Sequence, residues 1–175
     1  MGSFSRSLLC FGRSVKALPR KIILQPLVRQ SFAQCGMRFS LGKRCDLQGL
    51  QNISVGNDVS FGPETRIWTT GARVIIGNDV MFGPRITLIS GDHRTDIKGK
   101  PMRAVTPEEK LPCNDQDIVI GNDVWIGANV TILKGVHVPD GTVIAAGAVV
   151  VRSPNEENCI WGGTPAHLIG RRFND

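Results

Sequence analysis

No stretch of this 175-residue sequence approaches the roughly 20 consecutive apolar residues that a membrane-spanning helix requires. The five cysteines (Cys10, Cys35, Cys45, Cys113, Cys159) are odd in number, irregularly spaced and never in a CxxC pair. That pattern argues against a disulfide framework or structural zinc site and suits a reducing compartment, with the thiols as small apolar fillers. No acidic residue precedes Asp46, whereas Arg6, Arg13, Lys16, Arg20, Lys21, Arg29, Arg38, Lys43 and Arg44 do. The net charge of +6 therefore belongs to the N-terminal segment, and the rest of the chain is slightly acidic. Such a segment suits an anionic membrane surface, an anionic substrate or a solvated helical lead-in. The apolar stretch Leu8 to Phe11 is too short for a secretory signal, and Arg13 interrupts it. The acid-free, Arg/Ser-rich start resembles an organellar transit peptide in composition only. Without interleaved aromatics or a binding motif, the basic residues do not describe a nucleic-acid surface.

What the sequence does contain is a repeat. From Val55 onward it divides into hexads: VGNDVS, FGPETR, IWTTGA; IGNDVM, FGPRIT, LISGDH; IGNDVW, IGANVT, ILKGVH; VPDGTV, IAAGAV, VVRSPN. The leading positions (Val55, Phe61, Ile67, Ile76, Phe82, Leu88, Ile120, Ile126, Ile132, Val138, Ile144, Val150) are all aliphatic or Phe. A period of six scatters around a 3.6-residue helix, but it suits short strands separated by tight turns. Each hexad supplies one flat side with its leading residue turned inward, and Gly, Asn and Asp follow where the backbone must bend. In most triplets the first two hexads carry Gly after the leading residue, whereas the third carries Trp68, Ile89, Leu133 or Val151. Three hexads thus make one coil of a three-sided prism, with coils stacked at the strand spacing of roughly 4.8 Å.

The repeat is interrupted twice after a third hexad, briefly at 73–75 and at length over 94–119. Both interruptions return through similar sequence, RVIIGND and DIVIGND. A long charged, proline-rich loop inside a regular solenoid is usually functional. His93 stands at its mouth. Hexad phase puts His93 and His137 at the same position on successive coils, so either could serve there; His167 lies in the C-terminal segment. Three histidines raise a zinc alternative through the resemblance of these hexads to the β-helix carbonic anhydrases, whose three imidazole ligands include a closely spaced pair; this sequence has no such pair, and His167 would have to reach in from the tail.

The hexads resemble those of the hexapeptide-repeat acyltransferases, from about Leu41 to the C-terminus. This resemblance implies a mainly β fold, a left-handed parallel β-helix that assembles as a homotrimer with active sites between subunits. It also implies a short C-terminal helix from Pro165 in GGTPAHLIGRRF, and no metal. The expected organisation is a basic helical segment over 1–40, the β-helix with its loop over 41–160, and a helix and tail over 161–175. Apolar residues at helical spacing (Leu8, Val15, Leu18, Ile22) suggest that the first segment caps the open end of the prism.

SGDHRTD resembles the loop start of family members that acetylate sugars or antibiotics, and this implies His93 as general base. Asp92 and Asp96 are candidates to hold its second ring nitrogen, although ion pairing with Arg94 or loop capping explains them equally well. No nucleophilic Ser or Cys motif accompanies His93, so direct transfer from acetyl-CoA to the acceptor is expected. VWIGAN and AAGAVV match family segments in which residues at Ala128 and Ala146 meet the pantetheine arm. Arg152 stands where relatives carry a Lys near the CoA phosphates, and Arg171 and Arg172 could act there from the tail. Trp125 is a candidate wall of the acceptor or carrier tunnel. Glu64 occupies an acceptor-side position that is often Asn in relatives.

The chain most resembles the compact O-acetyltransferases of bacterial surface-polysaccharide synthesis. That resemblance implies a sugar or glycan acceptor and a cytoplasmic protein, peripheral to the inner membrane face through its basic start. An antibiotic acetyltransferase and a non-catalytic β-helix scaffold are the alternatives.

Overall fold

A computed structural model describes residues 20–69 and 71–173. Leu8, Val15 and Leu18 lie outside that range. The described chain begins with a π-type turn, Arg20–Leu24, that runs into helix α1, Gln25–Ser31, with Pro26 in its first turn. Three-stranded coils follow. The first holds β1 (Gln34–Cys35), β2 (Ser40–Leu41) and β3 (Asp46–Gln48). The second holds β4 (Ile53–Val55), β5 (Ser60–Phe61) and β6 (Arg66–Trp68), and the third β7 (Val74–Ile76), β8 (Met81–Phe82) and β9 (Thr87–Ile89). The fourth holds β10 (Ile118–Ile120), β11 (Trp125–Ile126) and β12 (Thr131–Leu133), and the fifth β13 (His137–Val138), β14 (Val143–Ile144) and β15 (Val149–Val150). β16 (Cys159–Gly163) opens a sixth turn, and β17 (Ala166–Arg171) folds back along it.

Corresponding strands pair in parallel, giving three sheets: β1-β4-β7-β10-β13, β2-β5-β8-β11-β14-β16-β17 and β3-β6-β9-β12-β15. The solenoid therefore starts at Gln34, one coil before the first regular hexad, because Cys35, Leu41 and Leu47 pair with Val55, Phe61 and Ile67. All twelve leading side chains are buried. So is the residue two places before each following leader, among them Val59, Val80, Ile86, Val124 and Val130. Each short strand thus points two side chains into the core, as the two-residue strand period requires.

Successive coils are 20, 21, 44 and 18 residues long, read from the stacked corner residues Met37–Asn57, Asn57–Asn78, Asn78–Asn122 and Asn122–Asp140. The short interruption expected at 73–75 is displaced. Val74–Ile76 is a ladder strand, and the extra residues lie just before it. Likewise the long loop leaves earlier than residue 94 and ends before β10 at Ile118.

At the open end, Phe32 follows α1 and packs edge-to-face on Phe39 and Phe61, with centroids at 5.5 and 6.5 Å. Gln25 donates to the carbonyl of Phe39, and Arg29 to that of Gly36 at 2.9 Å. The cap is thus made by Phe32 and helix polar groups, whereas Ile22 is 62% exposed. At the far end, the helix expected from Pro165 is absent; that segment is β17, antiparallel to β16. β16 extends the second sheet, and Gly163, at φ +99, reverses the chain beside it. The segment then finds a ready row of backbone partners, which a one-turn helix would forgo.

Two outcomes follow. Ile132, wholly buried between β15 and β9 in the third sheet, leaves a cavity when cut to Ala. Ile132→Ala is expected to lower unfolding free energy in urea by about 2–5 kcal/mol. At Asp140, the backbone N–H and side-chain amide of Asn122 hold the carboxyl below its ordinary value against the effect of burial. A group lowered by folding contributes stability above its unfolded value, about 3.9, and loses it as pH falls through the folded value. Asp140→Asn keeps an oxygen for Asn122 but no charge, so its deficit in urea midpoint should be present at pH 6 and shrink below about pH 4. A deficit equal at both pH values rejects the charge argument.

Candidate active site

The chain leaves the third coil after β9. Gln116 N–H donates to Ser90 O at 2.9 Å, Gly91 and Asp115 form an antiparallel bridge, and Asp92 N–H donates to Asn114 O at 2.8 Å. These rungs make a stem, so the excursion is a folded hairpin-like loop. Three 3₁₀ turns shape its interior: Met102–Ala104, Pro107–Glu109 and Pro112–Asn114. Ion pairs Lys100–Glu109, Lys110–Asp115 and Arg94–Asp96, at 2.5, 2.7 and 2.6 Å, hold the turns together. Arg73 and Asp117 pair at the point of re-entry, through two guanidinium contacts and the Arg73 N–H at 2.7 Å.

His93 directly follows the last rung. It lines a cleft of about 550 Å³ with Gly71, Arg94, Val105, Thr106, Pro107, Lys110 and Asp115. Gly71 belongs to the shorter excursion, so both interruptions of the repeat line this cleft. His93 is exposed, and its ring has no hydrogen-bond partner among the described residues. Neither neighbouring carboxylate is turned to it. Asp96 takes the Arg94 guanidinium. Asp92 accepts from Asn114 Nδ2 at 2.7 Å and lies 2.6 Å from Lys134 Nζ. Burial works against charge on Asp92, but the hydrogen bonds from Lys134 and Asn114, with the charges of Lys134 and Lys110, outweigh it and hold the carboxyl below its usual range.

The in-register reading of the histidines does not hold. Residue counting keeps hexad phase, yet the backbone has left the ladder at Ser90, three residues before His93. His137 lies in β13, where its partner is Val119 of β10. Its N–H donates to Ser153 Oγ at 2.9 Å, beside a different cleft lined by Pro139, Asp140, Ser153, Pro154 and Glu157. His167, with Arg152 and Thr164, lines a third cleft of about 480 Å³. Among the described residues, no group of three or more His, Cys, Asp or Glu side chains could hold a metal ion.

The other expected residues cluster elsewhere on the prism. Ala128 and Ala146 stack directly at the corner between the second and third sides, where Gly147 N–H donates to Ala128 O at 2.8 Å. Glu64 occupies the same corner on the second coil, at φ +63, paired with Arg44. Trp125 faces outward from β11 at 52% exposure, between Met81 and Val143. Arg152 is exposed and unpaired among the described residues, whereas Arg171 pairs with Glu156 at 2.8 Å and Arg172 with Asp123 at 2.7 Å. Sequence reading missed Lys110 and Asp115 in the His93 cleft, and Asn114 and Lys134 behind it. Asn114 and Lys110 lay unremarked in a charged loop, but Lys134 could have been noticed as a charge in the otherwise small or apolar hexad ILKGVH.

Residues 117–152 match the bacterial transferase hexapeptide model of six repeats. No curated protein matches the chain by sequence. Among solved structures, a hexapeptide-repeat-containing acetyltransferase from Vibrio cholerae O1 biovar eltor, complexed with acetyl-coenzyme A, is 26% identical with a TM-score of 0.74; the match covers 86% of this chain and 76% of that one. A galactoside acetyltransferase in complex with coenzyme A is 27% identical with a TM-score of 0.69, covering 85% and 70%. A polysialic acid O-acetyltransferase is 28% identical with a TM-score of 0.55, covering 79% and 59%. Residues 117–152 thus carry the bacterial transferase hexapeptide repeat, and the prism built from such hexads is similar to those of hexapeptide-repeat acetyltransferases.

Proposed function

We propose that the protein is an acetyl-CoA-dependent O-acetyltransferase that acylates a sugar hydroxyl in cell-surface polysaccharide synthesis, with His93 as general base. The observation that carries this reading is the position of His93. It is a free imidazole on the wall of a cleft that both excursions from an otherwise regular solenoid line, and that also holds apolar Val105 and Pro107. A sugar hydroxyl is too weak an acid to ionise near neutral pH, but an imidazole can take its proton as the oxygen attacks the acetyl carbonyl. His93 accepts that proton, the bond from carbonyl carbon to sulfur breaks, and the proton passes to the departing thiolate. Lys110, paired with Asp115 in the same cleft, contributes positive charge near the carbonyl oxygen as negative charge builds on it.

The stacked alanines suit the pantetheine arm of acetyl-CoA. Ala146 and Gly147 are exposed, and a Cβ built on Gly147 meets nothing within 4 Å, so the backbone there is open to an approaching chain. Arg152, unpaired among the described residues and one side further along the coil, is the phosphate contact. Arg171 would first have to release Glu156. Ala128 and Ala146 lie at a different corner of the prism from the one that His93 leaves, one six-residue side away, a span of at most roughly 20 Å. One chain therefore does not bring base and carrier together, and a homotrimer, in which corners of neighbouring chains meet, is the assembly we propose. Outward Met81 and Trp125, with Leu168 and Ile169 on β17, supply an apolar face for it. In that assembly Trp125 and Glu64 line the acceptor side, while Asp92 and Asp96 support the loop.

The acceptor class is proposed from the likeness to a galactoside acetyltransferase and a polysialic acid O-acetyltransferase. A place on the inner membrane face is supported by the exposed Ile22, Ile23, Leu24 and Leu27 in a segment without acidic residues. No helix among the described residues is long and apolar enough to cross a membrane.

His93→Ala is expected to lower kcat about 10²- to 10⁴-fold, read as thiol release from acetyl-CoA across a panel of mono- and oligosaccharides. Light scattering should show the same trimer mass for parent and variant. Full turnover by the variant would remove His93 from the mechanism. Ile23→Glu/Leu27→Glu is expected to abolish cosedimentation with phosphatidylserine vesicles while leaving thiol release intact, and equal binding by parent and variant would refute the membrane contact.

A further inference from the structure

Lys134 ends the third side of the fourth coil, one residue before Gly135 turns the chain at φ +75. Its ammonium lies 2.6 Å from Asp92 Oδ2 and also donates to the carbonyl oxygen of Cys113. These acceptors belong to opposite legs of the loop stem: Asp92 on the leg that leaves the coil, Cys113 on the leg that returns. Asn114 completes the connection, with Nδ2 donating to Asp92 Oδ1 at 2.7 Å and Oδ1 accepting the N–H of Leu111 at 2.9 Å. Asn114 is buried, at 7% exposure. The returning leg also leans on the turn after Lys134, since a Cβ at Gly135 would come within 2.8 Å of Gln116 Oε1.

We infer that Lys134 is a positioning residue for His93: it fastens both legs of the loop to a finished coil and so fixes where the imidazole enters its cleft. This inference rests on the reading of His93 as the base. Asp92 is the residue immediately before His93, so any shift of its carboxylate is passed to the imidazole through a single peptide unit. An ammonium has three donors and can serve two acceptors at once, one of them charged. Methionine retains the stem's length and loses both contacts. Arginine retains the charge and can reach the same two oxygens.

A merely stabilising lysine would lower the melting temperature and leave the folded enzyme's rate and the His93 ring untouched. The test therefore uses the full chain and two readouts, with Lys134→Met, Lys134→Arg, Asp92→Asn and the double variant Lys134→Met/Asp92→Asn beside the parent. The first readout needs no substrate. The His93 Cε1–H resonance, assigned by its loss in His93→Ala, should shift or split in Lys134→Met and return in Lys134→Arg, while that of His167 stays fixed. The second is acetyl-CoA hydrolysis, with water in the acceptor's place and thiol release as the signal. Lys134→Met should lower kcat roughly 10- to 100-fold with the KM for acetyl-CoA unchanged. The double variant should lose little more than the worse single one. An unmoved His93 resonance, or a rate that falls only with the folded fraction, overturns the positioning role. Parental hydrolysis by His93→Ala would instead overturn the base assignment, and the resonance would still decide whether Lys134 holds the ring.

Discussion

At two corners of this solenoid, successive backbones approach so closely that no side chain fits between most of them. A Cβ on Gly62 would lie 2.1 Å from the carbonyl oxygen of Gly83, and one on Gly127 would lie 2.6 Å from the nitrogen of Ala146. The hexad glycine is therefore required less by its own bend than by the coil stacked beside it. The same proximity aligns polar groups in columns. Asn57, Asn78 and Asn122 each receive the N–H of the coil before, through Oδ1, and Asp140 closes the row. At the next corner, Arg44, Glu64, Arg85, Asn129 and Gly147 all adopt positive φ, with Arg44 paired to Glu64 and Arg85 to Asn129.

Two corners are thus locked from coil to coil, and this decides where the chain can be lengthened. An insertion at the asparagine column would take one amide out of register and leave its neighbours' N–H groups unpaired. An insertion at the positive-φ column would displace the turn on which both adjoining sheets depend. The third corner has no such column. Coil lengths of 20, 21, 44 and 18 residues show that all the variation is absorbed there, from a three-residue 3₁₀ turn at Leu50–Asn52 to the folded loop. The long loop is therefore found where the prism tolerates one. Its rigidity comes from its own stem and from Lys134.

The inward pattern was legible in the sequence because it obeys one local rule repeated many times. Each leading residue announces itself, and the turn residues after it confirm the phase. The second inward position was less visible: Thr65, Thr142 and Ala148 occupy it as well as Val and Ile, and all are fully buried. Phase arithmetic succeeded wherever the ladder continued and failed where it was left. His93 counts as the sixth residue of LISGDH, but its position is set by the stem rungs at Ser90, Gly91 and Asp92, contacts with residues 22 to 26 places later. No short-range pattern encodes such pairings. The C-terminal segment was misread for a related reason. Pro165 is a fair helix start in isolation, but β16 presents a sheet edge, and tertiary pairing overrides the local preference.

The candidate chemistry inherits the geometry of the prism. On the proposed assignments, His93 stands beside one corner and the small residues Ala128 and Ala146 at another, so a single chain would hold base and carrier apart. Lengthening the loop cannot close that gap without losing the short stem and the tie to Lys134 that define the imidazole's position. Bringing a second chain alongside can, since a threefold arrangement sets the loop corner of one prism against a neighbouring prism while every ladder remains intact. The outward apolar residues of the second side, Met81 and Trp125, then gain a purpose that a lone solenoid does not give them. In the proposed trimer, the regularity that makes the fold easy to read also has a cost: a rigid prism cannot bend around its substrates, and a site between copies is the arrangement that leaves every ladder intact.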